Sequence, residues 1–172
     1  MINNFFELPI PTRAGQFTAR YSKKGLAAMD FPNTKAFVAP KHSEGGRADK
    51  TNGVSAQIRD WHRATEAALK NILAGRAAKI LPPLDTAGTE FQQAVWRELR
   101  KISFGKTKSY GEIAQAIGKP KAVRAVGGAC GANPIPVLVP CHRVLAANKK
   151  LGGFSGGLNW KRKLLACEGV SL

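Results

Sequence analysis

A cysteine and a histidine stand side by side at positions 141 and 142, inside the stretch PVLVPCHRVLAANKK. The apolar run Val137-Leu138-Val139 meets Pro140, and a thiol, an imidazole and the Arg143 guanidinium then follow in direct succession. A thiol attacks as its thiolate, and with an ordinary pKa of about 8.5 little of it is ionised at neutral pH. A histidine that accepts the thiol proton changes this. Neighbours in an extended segment point to opposite faces, so Cys141 and His142 need either a tight turn or a bridging water to cooperate. A carboxylate should orient the imidazole. Few acids lie in this half of the chain, and Glu168 in LLACEGV is the one most isolated from basic neighbours of its own helix. Residue types and spacing leave two readings of Cys141 open: a nucleophile, or a small buried hydrophobe, the commonest fate of a free cysteine.

The elements that must position these residues are dense in helix signals. TEFQQAVWRELRKI carries Phe91, Val95, Leu99 and Ile102 on one face, with Thr89 as N-cap. After SFGKTK, Ser109 caps a helix holding Ile113, Ala114 and Ile117; Gly118-Lys119-Pro120 breaks it, and Lys121 starts a second helix through Ala132. Two short helices joined by a tight turn read as a helix-turn-helix or as an ordinary helical hairpin. The second helix is nearly all Ala, Val, Gly and Cys apart from Lys121 and Arg124. A major-groove reader usually offers Arg, Asn or Gln to base edges; a face of small residues instead lets the backbone approach another surface closely. Arg124 is there either a probe into a groove or base stack, or a surface cation bound to helix-end carbonyls.

The first part of the chain is simpler. GQFTARYSKKGLAAMDFP reads as a β-hairpin, with Phe17, Ala19 and Tyr21 alternating and Lys23-Lys24-Gly25 turning. Residues 38–53 lack periodicity and read as a loop. A helix is expected over 54–74, with Ile58, Trp61, Leu69, Ile72 and Leu73 at helical spacing and Gly75 as its stop. The proline-broken KILPPLDTAG marks a boundary between an N-terminal domain over 1–80 and a C-terminal domain over 81–172. The fold class expected is mixed α/β (α+β): a small sheet-plus-helix domain followed by a mainly helical one.

Length and composition fit a folded chain of 172 residues, with 44% hydrophobic and 22% charged residues. The charge is the outlier: Lys and Arg total 27 against 11 Asp and Glu, a formal +16. The excess is spread over the chain, with 13 basic and 6 acidic residues up to Ile80 and 14 and 5 beyond it. Such a balance points to a polyanionic partner, whose counterions binding would release. No apolar run is long enough for a bilayer, and MINNFFELPIPTRAG lacks the pattern of a signal peptide. The three cysteines, Cys130, Cys141 and Cys167, form no C-x-x-C pair, which argues against a disulfide framework or zinc finger and for a reducing compartment.

NPIPVLVPCHRV closely resembles the active-site signature of the O6-alkylguanine-DNA alkyltransferases, the methylated-DNA–protein-cysteine methyltransferases. The likeness runs from about residue 84 to 169, through GTEFQQAVWRELRKISFGKTKSYGEIAQAIGKPKAVRAVGGACGANPIPVLVPCHRV and GGFSGGLNWKRKLLACEG. The N-terminal part resembles the family loosely, and the likeness implies a ribonuclease-H-like domain there. It implies a protein that flips an O6-alkylated guanine, and less well an O4-alkylated thymine, out of duplex DNA. The alkyl group would move irreversibly to Cys141. His142 would take the thiol proton through a water, Glu168 would polarise His142, and Asn133 would brace the turn that carries Cys141. Tyr110 would donate to the flipped base, Ser155 would hydrogen-bond O6, and the carbonyls of Cys141 and Val144 would accept from the guanine amino group. Phe154, Pro136 and Leu151 would complete the pocket.

Arg124 would fill the vacated stack, with Lys121, Ala122, Ala125, Gly131, Ser109 and Arg143 also at the DNA. Two departures stand out: Phe154 replaces a tyrosine common in the family, and CEG stands in place of HEG, with Cys167 beside the acid. The zinc site of some members needs N-terminal Cys and His ligands, whereas this region has no cysteine and only His42 and His62, so no metal or other cofactor is expected. The implied protein is a cytoplasmic monomer working on double-stranded DNA, nuclear if eukaryotic, with no membrane partner. Two rivals remain at this point: a Cys-His hydrolase that turns over repeatedly, and a damage-binding protein that transfers nothing.

Overall fold

The computed structural model describes residues 5–32 and 54–172. The loop read at 38–53, and His42 within it, lie outside the described residues. Three antiparallel strands open the chain: β1 (Phe6–Thr12), β2 (Gly15–Tyr21) and β3 (Leu26–Asp30), in the order β1-β2-β3. The alternation in β2 turns Phe17, Ala19 and Tyr21 fully inward. The expected hairpin is β2 and β3. β1 is an addition, registered Phe6 to Tyr21 and Thr12 to Gly15.

Helix α1 (Ala56–Leu73) starts where the Ser55 side chain accepts from the Ile58 N–H, and it buries Ile58, Ala68, Leu69 and Ile72. The proline-broken segment after it is no free tether. Leu26 N–H donates to the Pro83 carbonyl and Asp85 N–H to the Leu26 carbonyl, so this segment runs beside β3.

Helices α2 (Glu90–Leu99) and α3 (Tyr110–Ala116) each begin in a capping box, Thr89 with Gln92 and Ser109 with Glu112. Helix α4 (Val123–Gly131) begins two residues later than expected. Lys121 lies in the turn, which the Ala122 N–H closes onto the Lys119 carbonyl. Cys141–Arg143 form one 3-10 turn, followed by β5 (Val144–Leu145), which pairs in parallel with β4 (Lys108–Ser109). A second 3-10 turn, Ala147–Lys149, leads to α5 (Leu158–Cys167).

The architecture is mixed α/β, with one buried apolar cluster that takes in Phe17 and Leu69 from the first half and Val95, Ile113, Val139 and Leu164 from the second. Among the described residues no helix is long and apolar enough to cross a membrane.

Candidate active site

A hydrogen-bonded latch makes the turn that presents Cys141. Asn133 Oδ1 accepts from the Ile135 N–H at 3.0 Å, while its Nδ2 donates to the Val139 carbonyl at 2.7 Å and to Cys141 Sγ at 3.1 Å. The loop so closed holds Val137 at φ 75°, a left-handed conformation that a β-branched residue rarely adopts. Such strain costs about 1–3 kcal/mol and persists only where the surroundings over-determine it. Here the Asn133 latch and the Val139 N–H bond to the Ile135 carbonyl at 2.9 Å hold it closed.

Cys141 is 2% exposed. Burial pushes its thiol up to about 11, against the opposing pull of the Asn133 hydrogen bond, the Lys161 ammonium and the backbone N–H groups of Cys141 and His142. The imidazole of His142 is wholly buried, and Nε2 lies 2.8 Å from Glu168 Oε1. Burial lowers the His142 pKa, Glu168 raises it, and Arg143 and Lys161 lower it further. With Glu168 ionised, Nε2 carries the proton and Nδ1 is left as the acceptor. Nδ1 has no hydrogen-bond partner among the described residues.

Glu168 holds this arrangement together. Arg143 grips its carboxylate, Nε at 2.9 and 3.1 Å and Nη2 at 2.9 Å, and the Gly105 N–H donates at 3.0 Å. Burial alone would push the carboxyl up; the hydrogen bonds from His142 and Arg143 outweigh it and hold the group at about 2.

Lys161 is a second buried cation, wholly inaccessible to solvent. Its Nζ donates to the Val144 carbonyl at 2.6 Å, to the Leu151 carbonyl, and to the Gly153 carbonyl at 3.4 Å. It thereby ties the glycine-rich 152–157 loop to the strand that follows Cys141. Tyr110 closes the same space, its hydroxyl 3.4 Å from the Gly153 carbonyl. Burial pushes its phenol up to about 12, and the Cys130 and Cys141 thiols facing it add to the shift.

Residues 90–170 match the family model of the 6-O-methylguanine DNA methyltransferase DNA-binding domain. A Methanosarcina acetivorans methylated-DNA–protein-cysteine methyltransferase is 47% identical over 110 residues, which cover 64% of this chain and 70% of that protein. The chain belongs to the methylated-DNA–protein-cysteine methyltransferase family. A Haemophilus influenzae family member is 54% identical over 88 residues, 51% of this chain and 49% of the relative, so the match spans about half that relative's length. A crystal structure of Mycobacterium tuberculosis OGT in complex with DNA is 37% identical, covering 93% of this chain and 90% of that one with a TM-score of 0.70.

In this methyltransferase-family chain the structure brings Asn133, Cys141, His142 and Glu168 together. Tyr110, Val144 and Leu151 meet around Lys161, which lies 5.8 Å from the Tyr110 ring. Pro136 is buried beside the Cys141 turn, bridging to Val139. Phe154 is half-buried, Ser155 next to it is exposed, and the Val144 carbonyl accepts from Lys161. Lys121, Arg124, Ala125 and Gly131 are exposed along α4 and the turn before it, with Ala122 half-buried. Ser109 is spent on capping α3, its Oγ accepting from the Glu112 N–H at 3.1 Å.

Arg143 requires a correction. Expected at the DNA, it is 8% exposed, bound to Glu168 and to the Ile102 carbonyl, with Phe104 over its guanidinium. Its guanidinium is turned to a buried carboxylate and a backbone carbonyl instead of to the surface. The sequence reading also missed Lys161, although a signal existed: it falls in register with Leu164, Leu165 and Glu168, a lysine on the inward stripe of α5.

Proposed function

We propose that this protein repairs DNA by direct reversal, taking the alkyl group of a flipped O6-alkylguanine, and less readily of an O4-alkylthymine, onto Cys141 in a single turnover. The observation that carries this reading is the buried Asn133–Cys141 and His142–Glu168 arrangement, in which one thiol faces the Tyr110 and Lys161 space. His142 Nδ1, without a partner among the described residues, takes the Cys141 proton through a water. Sγ bonds to the alkyl carbon as the C–O6 bond breaks, and the electron pair passes into the guanine ring. The base regains a proton, so thiol plus alkylguanine becomes thioether plus guanine with no co-reactant. Ser155 hydrogen-bonds O6, Tyr110 donates to the ring, and the Cys141 and Val144 carbonyls accept from the amino group.

In this reading α3 and α4 act as a helix-turn-helix whose small residues let the backbone approach the groove, and Arg124 fills the stack the base leaves. Flipping costs a few kcal/mol, least where pairing is already damaged. The +16 charge supplies affinity without sequence preference. Residues 1–80 form a ribonuclease-H-like supporting domain and 81–172 the DNA-binding and transfer domain of a cytoplasmic monomer, nuclear if eukaryotic.

Mass spectrometry after incubation with an O6-methylguanine duplex tests this. One methyl group on the Cys141 peptide per molecule, and no further turnover, is the expected result. Repeated turnover would indicate a hydrolase, and binding without an adduct would indicate a damage sensor.

A further inference from the structure

The 152–157 loop, which carries Ser155, contains four glycines, and Gly152 and Gly157 have φ of 64° and 86°. Such a segment has little order of its own, since glycine loses the most conformational freedom on folding. Its fixed shape must be imposed from outside. Tyr110 packs on Gly152, and Lys161 holds the Leu151 and Gly153 carbonyls; both come from the second half of the chain.

The other end of the loop is held from the first half. A Cβ built on Gly156 would fall 2.5 Å from the Phe31 ring, so ring and bare backbone are fitted to each other. The same ring stands 5.7 Å from Phe154 and 4.9 Å from Trp160, centroid to centroid, and Phe17 backs it at 5.5 Å. Phe31 is 6% exposed and follows β3 directly. Within β3, the Met29 N–H donates at 2.9 Å to the carbonyl of Pro134, next to Asn133 in the turn that presents Cys141. One strand and the residue after it thus touch both the loop that carries Ser155 and the turn that carries the thiol.

We infer that Phe31 is a positioning residue for alkyl transfer, fixing the Ser155 loop against Cys141 through its contact with Gly156 and Phe154. This rests on the alkyl-transfer reading of the site. The N-terminal sheet thereby gains a definite role, since it supplies a face against which the leaving-group side of the pocket is set. Phe31 acts through its contacts with Gly156, Phe154 and Trp160, so its effect is on geometry, where misplacement by about 1 Å can cost up to about a hundredfold in rate.

The test measures two quantities on the full chain with an O6-methylguanine duplex: the single-turnover transfer rate at saturating DNA, and the dissociation constant. Phe31→Ala removes the ring, and Gly156→Ala drives a methyl group into it without deleting any core side chain. Each is expected to slow transfer at saturation about tenfold or more, leaving the dissociation constant unchanged, because the expected DNA residues lie along α4 and the turn before it. Phe31→Tyr should recover most of the rate. In the double variant the ring that the added methyl group would strike is gone, so the combined loss should be smaller than the product of the single losses. Wild-type rates in folded Gly156→Ala would overturn the proposal, as would single losses that multiply. The Gly156 variant decides the matter even where Phe31→Ala fails to fold. A wild-type protein that gains no methyl group at Cys141 overturns the alkyl-transfer reading itself; one that does, with variants equally fast, overturns only the role of Phe31.

Discussion

Replacing Glu168 by glutamine (E168Q) separates a working proton route from a merely structural ion pair. The carboxylate accepts from Arg143, His142 and the Gly105 N–H, with contacts of 2.8 to 3.1 Å. The amide keeps the shape, loses the charge and can accept through one atom only. Arg143 then becomes a buried cation without its counter-charge, keeping only the neutral amide oxygen and the Ile102 carbonyl as acceptors. Breaking a buried pair from one side costs about 3–5 kcal/mol. At about 2–4 °C per kcal/mol for a chain of this size, Tm should fall on the order of 10 °C, with the fold intact at neutral pH.

The chemical consequence is larger. Gly105 and Arg143 Nε hold the oxygen at the Oε2 position, so the NH2 group takes the Oε1 position, against His142 Nε2 and Arg143 Nη2. That end can only be accepted by a bare Nε2, which moves the ring proton to Nδ1, the atom that has to receive the thiol proton. Losing a general base in this way costs about 10²–10⁴ in rate. Rapid-quench transfer from an O6-methylguanine duplex, followed against pH, reads both effects. Glu168 holds the His142 pKa up against burial, so in E168Q the acid limb should move to lower pH while the plateau falls. Stability adds an independent check. The depressed Glu168 pKa contributes stability that is present above 4.5 and lost as pH falls towards about 2, and E168Q should lack that loss. A plateau equal to the wild type's, or a fallen plateau with an unmoved acid limb, would refute the proton route.

Cys141→Ala should abolish transfer while retaining affinity for the methylated duplex; an adduct in that variant would mean that another thiol is the acceptor. Arg124→Ala should slow repair in duplex DNA far more than reaction with free O6-benzylguanine, and equal losses would rule out the base-stack role. Lys161→Met should leave the buried Val144 carbonyl without that donor, at about 1–3 kcal/mol by thermal or urea unfolding, and the half-buried Leu151 carbonyl at less. It should also slow transfer, since Lys161 favours the Cys141 thiolate; an unaltered rate would exclude that role. DNA affinity should fall steeply as salt rises from low to moderate concentration, and a flat response in a filter or anisotropy titration would contradict the phosphate-contact argument.

The parts of the fold that were legible in the sequence are those set by period and cap. Phe17, Ala19 and Tyr21 alternate and all face inward, and Thr89 and Ser109 cap helices as read. β1 was not read from the sequence, and its two prolines, Pro9 and Pro11, are residues a strand ladder usually disfavours. On an edge strand a proline removes a donor the ladder does not need, and both are accommodated opposite Thr18 and Gln16. Of the site, Cys141, His142 and Glu168 could be singled out by residue type, since an acid and an imidazole in an otherwise basic half need partners. The Val137 conformation could not, because only the closed Asn133 latch imposes it. Arg143 was expected at the DNA with the residues the resemblance implied there; the buried acid it serves lies 25 residues further on, a pairing that only the fold brings together.

The resting site is arranged to keep its thiol quiet. Burial pushes Cys141 to about 11 and lowers His142, so at neutral pH the pair rests as thiol and neutral imidazole rather than as an ion pair. If Cys141 is spent in one reaction, as proposed, this is a gain, because a standing thiolate would be consumed by any passing oxidant or electrophile. The groups that favour the thiolate are nonetheless already placed: the Asn133 amide at 3.1 Å, the Lys161 ammonium and the two backbone N–H groups. Excluding more water would push the thiol further up, since burial already outweighs those groups. A flipped base that fills the Tyr110 side of the pocket would instead bring the electrophile to a thiol whose stabilising groups are in place, so that the proton leaves as the new bond to Sγ forms. Reactivity then follows from occupancy rather than from a permanently low thiol pKa.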